Sequence, residues 1–89
     1  MSVPRVEGMT VRVLFFSVLR DLVGKPELEV ELQAGSVVAD LLNEMGEQYP
    51  ELKKWDEKLL ISVDHAYAER GAELSEGNEV AIMPPVQGG

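Results

Sequence analysis

The chain has 89 residues, is 45% hydrophobic, contains no cysteine, and carries a net charge of −8 from 16 acidic and 8 basic side chains. That length suits one domain with a modest core, and the apolar fraction is too high for a disordered chain. Without cysteine there are no disulfides, thiolate metal sites or cysteine nucleophiles, and the acidic balance is wrong for a phosphate backbone as ligand. No apolar run reaches the roughly 20 residues of a membrane helix. Residues 1–8 lack the apolar segment of a signal peptide. The expectation is a cytoplasmic protein with neither nucleic acid nor membrane as its partner.

Residues 1–8 read as a loose leader, since Pro4 and Gly8 discourage regular structure and Met9 would serve as a start by itself. Thr10 to Ser17 is rich in β-branched and aromatic residues and alternates. Val11, Val13 and Phe15 share one face, and Arg12, Leu14 and Phe16 the other. Arg12 marks the second face as the solvent side, so Leu14 and Phe16 are apolar residues pointing outward. A covering loop or a docking patch would account for them. Val18 to Gly24 is a short connector, a turn of helix closed by glycine. Glu27 to Leu32 is a half-buried strand with Leu28, Val30 and Leu32 inward and its glutamates outward, hairpin-paired with the first.

Ala34-Gly35 breaks that strand, and Ser36 is placed to cap a helix. Val38, Leu41, Leu42, Met45 and Tyr49 then form one apolar stripe at helical spacing, with Asp40 near the N-terminal end to suit the helix dipole. Pro50 ends the helix. Glu51 to Lys58 reads as a polar connection whose tryptophan, Trp55, lids the core. Leu59 to Val63 is a third strand, Asp64-His65 a turn, and Ala66 to Ala68 a short return. His65 has no metal-ligand or nucleophile cluster at a telling spacing and is read as a surface turn residue. Glu69 to Asn78 is loop, anchored by Leu74, with a turn at Glu76-Gly77-Asn78. Glu79 to Met83 is the last strand, with Val80 and Ile82 inward. One helix stripe against one sheet face is an α+β domain, and the other sheet face is left open.

The last strand leads into Pro84-Pro85-Val86-Gln87-Gly88-Gly89. The prolines forbid further strand pairing, and the two glycines offer no side chain to obstruct a narrow channel. The reactive group of such a tail is the α-carboxylate of Gly89. Glycine-rich phosphate loops, GxGxxG, HExxH and GxSxG motifs are all missing. The acidic residues sit at the regular exterior positions of a solvated surface.

Val13-Leu14-Phe15-Phe16 with Arg20-Asp21-Leu22-Val23-Gly24, and Gly77-Asn78-Glu79-Val80-Ala81 with Pro84-Pro85-Val86-Gln87-Gly88-Gly89, resemble the opening and the ending of the small subunit of molybdopterin synthase, the MoaD family. The resemblance runs from Met9 to Gly89. It implies a β-grasp, ubiquitin-like fold: a mixed sheet on one main helix over residues 9–83, with a mobile tail at 84–89. It also implies a sulfur carrier that is no enzyme on its own and binds no cofactor. An E1-like adenylating enzyme (MoeB-like) would use ATP to activate Gly89, which a sulfur donor then converts to a thiocarboxylate. Pro84, Pro85, Val86, Gln87 and Gly88 would thread into the large synthase subunit (MoaE-like), in a hetero-oligomer of two carriers and two large subunits. Family positions matching Phe16, Tyr67 and Met83 contribute to an apolar docking patch, with Tyr67 also readable as a filler of the sheet edge, and Met83 stands where an aromatic residue is common. Rival readings are a sulfur carrier for thiamine, tRNA thiolation or cysteine synthesis, a protein-conjugating modifier, and a binding module with an incidental Gly-Gly.

Overall fold

Alternation across Gly8–Phe15 produces the first strand, β1, in which Met9, Val11, Val13 and Phe15 are buried and Arg12 is exposed. The structure, a computed structural model, describes residues 8–55 and 58–85. Ser17, at φ 57°, breaks the extended run, and a short helix, α1 (Val18–Val23), follows. Gly24 closes α1 at φ 84°, donating its amide to the Arg20 carbonyl at 2.8 Å. A left-handed closing residue is strained for anything but glycine or asparagine. The chain returns as β2 (Glu27–Gln33), antiparallel to β1, with Val11 opposite Val30.

The main helix, α2 (Val38–Gln48), buries Val38, Leu41, Leu42 and Met45, the predicted stripe, and Gly46 beside them. Tyr49, the last residue of that stripe, closes the helix in a half-buried position against the core. A 3-10 helix, Pro50–Lys54, leads by way of Trp55 and residues beyond to β3 (Leu60–Val63) and β4 (Ala66–Tyr67), then a long loop and β5 (Glu79–Met83). The sheet order is β2-β1-β5-β3-β4, with β5 parallel to β1 and antiparallel to β3. Val11, Val13, Val80 and Ile82 on the sheet meet Leu19, Val38, Leu41 and Met45 in one core. This five-stranded mixed sheet packed on one main helix is the β-grasp arrangement that the resemblance implies.

Several details differ from the sequence reading. Gly8 belongs to β1, opposite Gln33, rather than to the leader; residues 1–7 lie outside the described residues. Ser36 does not cap α2. Its hydroxyl donates to the Gln33 carbonyl at 2.7 Å, and Val37 takes the cap position. The first amides of α2 are served from far along the chain: Val38 donates to the Ala72 carbonyl at 2.9 Å and Ala39 to the Arg70 carbonyl at 2.8 Å. Loop carbonyls do not normally meet a helix N-terminus by chance; here the Val37–Glu73 bridge and the Leu74 amide on the Ser36 carbonyl hold the loop there. Asp40 bonds back to the Val37 amide at 2.9 Å, which adds a carboxylate at the positive end of the helix.

The connection after Pro50 is also more ordered than a polar loop. Proline at the first position of a 3-10 turn costs no hydrogen bond, and Leu52 becomes a core residue at 3% exposure. Trp55 closes this turn and packs on the core, as expected.

Candidate functional site: the open sheet face and the base of the tail

The outward positions of the sheet line up in rungs. Glu27, Leu14, Ala81, Ser62 and Tyr67 lie side by side across β2, β1, β5, β3 and β4. One rung toward the C-terminal end of β5, Met83 lies opposite Leu60. Phe16 follows Phe15, which pairs with Ile82, so Phe16 is level with Met83 on the neighbouring strand. Parallel pairing causes this: the exit from β1 and the exit from β5 are at the same end of the sheet. Phe16 is 46% exposed and Tyr67 78% exposed, while Met83 is half-buried. Among the described residues the open face therefore presents Phe16, Met83, Leu60 and Leu14 around the point where the chain leaves β5. Tyr67 sits on the edge strand, two strands from β5, at roughly 10 Å from the Ala81 backbone by ordinary strand spacing.

β5 is held on both sides, by β1 and by β3, so Pro84 and Pro85 leave from the middle of the sheet. Both prolines are half-buried. Val86, Gln87, Gly88 and Gly89, the remaining predicted tail positions, lie outside the described residues.

The opposite end of the open face is charged. Arg12 Nε is 3.3 Å from Glu27 Oε2, and Arg12 Nη1 is 3.7 Å from Glu79 Oε2. His65 Nε2 is 3.7 Å from the second Glu79 oxygen. His65 occupies a two-residue hairpin turn with Asp64, both at positive φ, in agreement with its reading as a turn residue. Asp64 braces the entry to β5: it accepts from the Glu79 amide at 2.8 Å and the Asn78 side chain at 2.7 Å. Gly77, at φ 82°, lets the preceding turn send its amide to the Thr10 carbonyl at 2.8 Å. These turn contacts fix the start of the strand that carries the tail, and the Glu-Gly-Asn turn signal was their only trace in the sequence.

Among the described residues no group of three or more histidines, aspartates and glutamates is placed to hold a metal ion, and no helix is long and apolar enough to cross a membrane. A groove of about 380 Å³ lies elsewhere, on α2, between Ala39, Leu42, Asn43, Gly46, Lys53 and Arg70. None of the predicted site residues lines it.

The sequence pattern of the ThiS family matches residues 13–89. The chain belongs to the ThiS family. It is 39% identical over 83 residues to a molybdopterin synthase sulfur carrier subunit from Caenorhabditis briggsae, an alignment covering 91% of this chain and 99% of that one. A solved structure of a putative molybdopterin converting factor subunit 1 from Pyrococcus furiosus is 32% identical and superimposes with a TM-score of 0.80, covering 88% of this chain and 99% of that one. The small archaeal modifier protein 1 from Methanosarcina acetivorans is 31% identical with a TM-score of 0.74, covering 93% and 99%. The resemblance read from the first strand and the Pro-Pro-Val-Gln-Gly-Gly ending is borne out by this family match, which runs through Gly89, together with the molybdopterin synthase sulfur carrier relatives.

Proposed function

We propose that this ThiS-family chain is the sulfur carrier subunit of a cytoplasmic molybdopterin synthase, with the α-carboxylate of Gly89 as its reactive group. The observation that carries the reading is the exit of β5 from the sheet centre beside exposed Phe16 and half-buried Met83, in a chain whose relative at 39% identity bears that subunit's name. An apolar docking face surrounding the root of a glycine-ended tail is what insertion into a partner requires.

A carboxylate resists nucleophiles, so the cycle begins with activation. A Gly89 oxygen attacks the α-phosphorus of ATP on an E1-like enzyme, and pyrophosphate leaves. Sulfur at the sulfide level then displaces AMP from the acyl carbon, giving a thiocarboxylate, a good nucleophile in a chain with no cysteine. Phe16, Met83 and Tyr67 dock the body on the large subunit, and the tail from Pro84 to Gly88 carries the thiocarboxylate into a channel that excludes water. The sulfur attacks an electrophilic carbon of the pterin precursor and a carbon–oxygen bond at that carbon breaks, its oxygen leaving with a proton; water then cleaves the acyl–sulfur bond, which leaves the sulfur on the pterin and regenerates the carboxylate. Two deliveries complete the dithiolene that binds molybdenum. Pro84 and Pro85 limit the freedom lost on threading.

The test is exact intact mass after incubation with ATP, sulfide and the host's activating enzyme, beside a chain lacking Gly89. A carrier gains one sulfur in place of one oxygen, and the shortened chain gains none while melting at nearly the same temperature. Sulfur on the shortened chain sinks the proposal. The archaeal modifier at 31% identity supports a second reading, conjugation of Gly89 to a lysine. That reading predicts a lysine-linked adduct in place of the sulfur gain.

A further inference from the structure

β2 is an edge of the sheet, and its free side is built to a pattern. The Phe15 amide donates to the Pro26 carbonyl at 2.9 Å. Alternate residues of an antiparallel strand turn their backbone groups to opposite sides. This bond therefore sets the phase: Leu28, Val30 and Leu32 turn theirs to β1, and Glu27, Glu29, Glu31 and Gln33 turn theirs outward. Among the described residues no strand pairs with that outer side. The side chains alternate as well. Glu27, Glu29 and Glu31 stand on the open face, opposite Leu14, Arg12 and Thr10, whereas Leu28 and Leu32 are half-buried on the core side at the rim. Arg12 pairs with Glu27. Among the described residues no ion pair involves Glu29 or Glu31.

We infer that the free edge of β2 is a docking strand for an extended segment of a partner protein in which Lys or Arg alternates with apolar residues. Residues opposite each other on adjacent strands share a face, so every second residue of an added strand meets the glutamates and the intervening ones meet Leu28 and Leu32. The Gln33 carbonyl is already taken by the Ser36 amide and hydroxyl, so Glu27, Glu29 and Glu31 are the outward positions left for main-chain bonds that supply affinity, while the alternation supplies register. A second copy of this chain is the wrong occupant. Antiparallel pairing of two β2 strands about Glu29 sets glutamate against glutamate along the whole rung, and like charges directly opposite repel. The inference is independent of the sulfur chemistry at Gly89.

The probe is the capped peptide Lys-Val-Lys-Val-Lys-Val-Lys, with Lys-Lys-Val-Val-Val-Lys-Lys as a control of equal composition, added to the full-length ¹⁵N-labelled chain. The alternating peptide is expected to slow hydrogen exchange at the Glu29 and Glu31 amides and to bind more tightly than the control. The Glu29→Lys/Glu31→Lys variant, altered only at exposed positions, is expected to keep its amide spectrum outside β2 and lose about tenfold or more in affinity. Equal binding of the two peptides would reduce the effect to plain charge attraction and overturn the proposal. So would shifts confined to Phe16, Tyr67 and Met83, or protection of Glu29 and Glu31 in the peptide-free chain that rises with protein concentration.

Discussion

Val80 and Ile82 on β5 are completely buried, while Met83, Phe16 at the end of the neighbouring β1 and Tyr67 on the edge strand β4 face outward. On β5 the two kinds, Ile82 and Met83, are a single residue apart in sequence. Alternation gives one short strand a core side and an open side, and its two sides should respond to substitution in different ways. Inner substitutions should act through stability. Outer ones should leave stability alone and change what the protein binds.

Ile82→Ala should have the largest effect on folding. It removes a fully buried side chain beneath the main helix and is expected to destabilise the fold by about 2 to 5 kcal/mol in a denaturant titration. A loss under about 1 kcal/mol would mean the core can collapse around the gap, and the inner face would not be the folding side. Phe16→Arg is the complementary case. Partner binding should fall by more than about tenfold while the unfolding free energy moves by no more than about 1 kcal/mol. A variant that unfolds would place Phe16 in the core and erase the distinction.

Tyr67→Ser sharpens the comparison further. At 78% exposure and two strands from the tail base, Tyr67 should contribute less to docking than Phe16, by about 1 kcal/mol or less in a binding titration, with no change in melting. Arg12→Ala comes last. Its contacts with Glu27 and Glu79 are largely exposed, so about 0 to 1 kcal/mol of stability is at stake, and added salt should shrink the difference between variant and parent.

The period of the side chains made much of this legible in advance. Two-residue alternation in Val11, Val13 and Phe15 and the helical spacing of Val38, Leu41, Leu42 and Met45 gave both layers, because burial on one face is a local property of a strand or helix. What local pattern could not carry was the partner of each element. Ser36 looked like a cap, and no nearby residue revealed that carbonyls of Arg70 and Ala72 would serve the helix instead. Leu52 was hidden among charged neighbours in a turn with no period to display it. Phe16 was correctly read as outward, but its place beside Met83 depends on β1 and β5 running parallel, a contact between distant parts of the chain. The roles of Val86 to Gly89 rest on the motif and the family match, since those residues lie outside the described ones.

The central position of β5 also governs when this molecule comes into being. The strand last in sequence fills the slot between β1 and β3, joining the β1–β2 hairpin to the β3–β4 hairpin. Long-range pairing of that kind is slow to nucleate, because loop closure must precede the contacts that reward it. Until β5 has been made, the pairings that join the β1–β2 hairpin to the β3–β4 hairpin cannot form. The open face, which spans all five strands, is therefore finished only when β5 is in place.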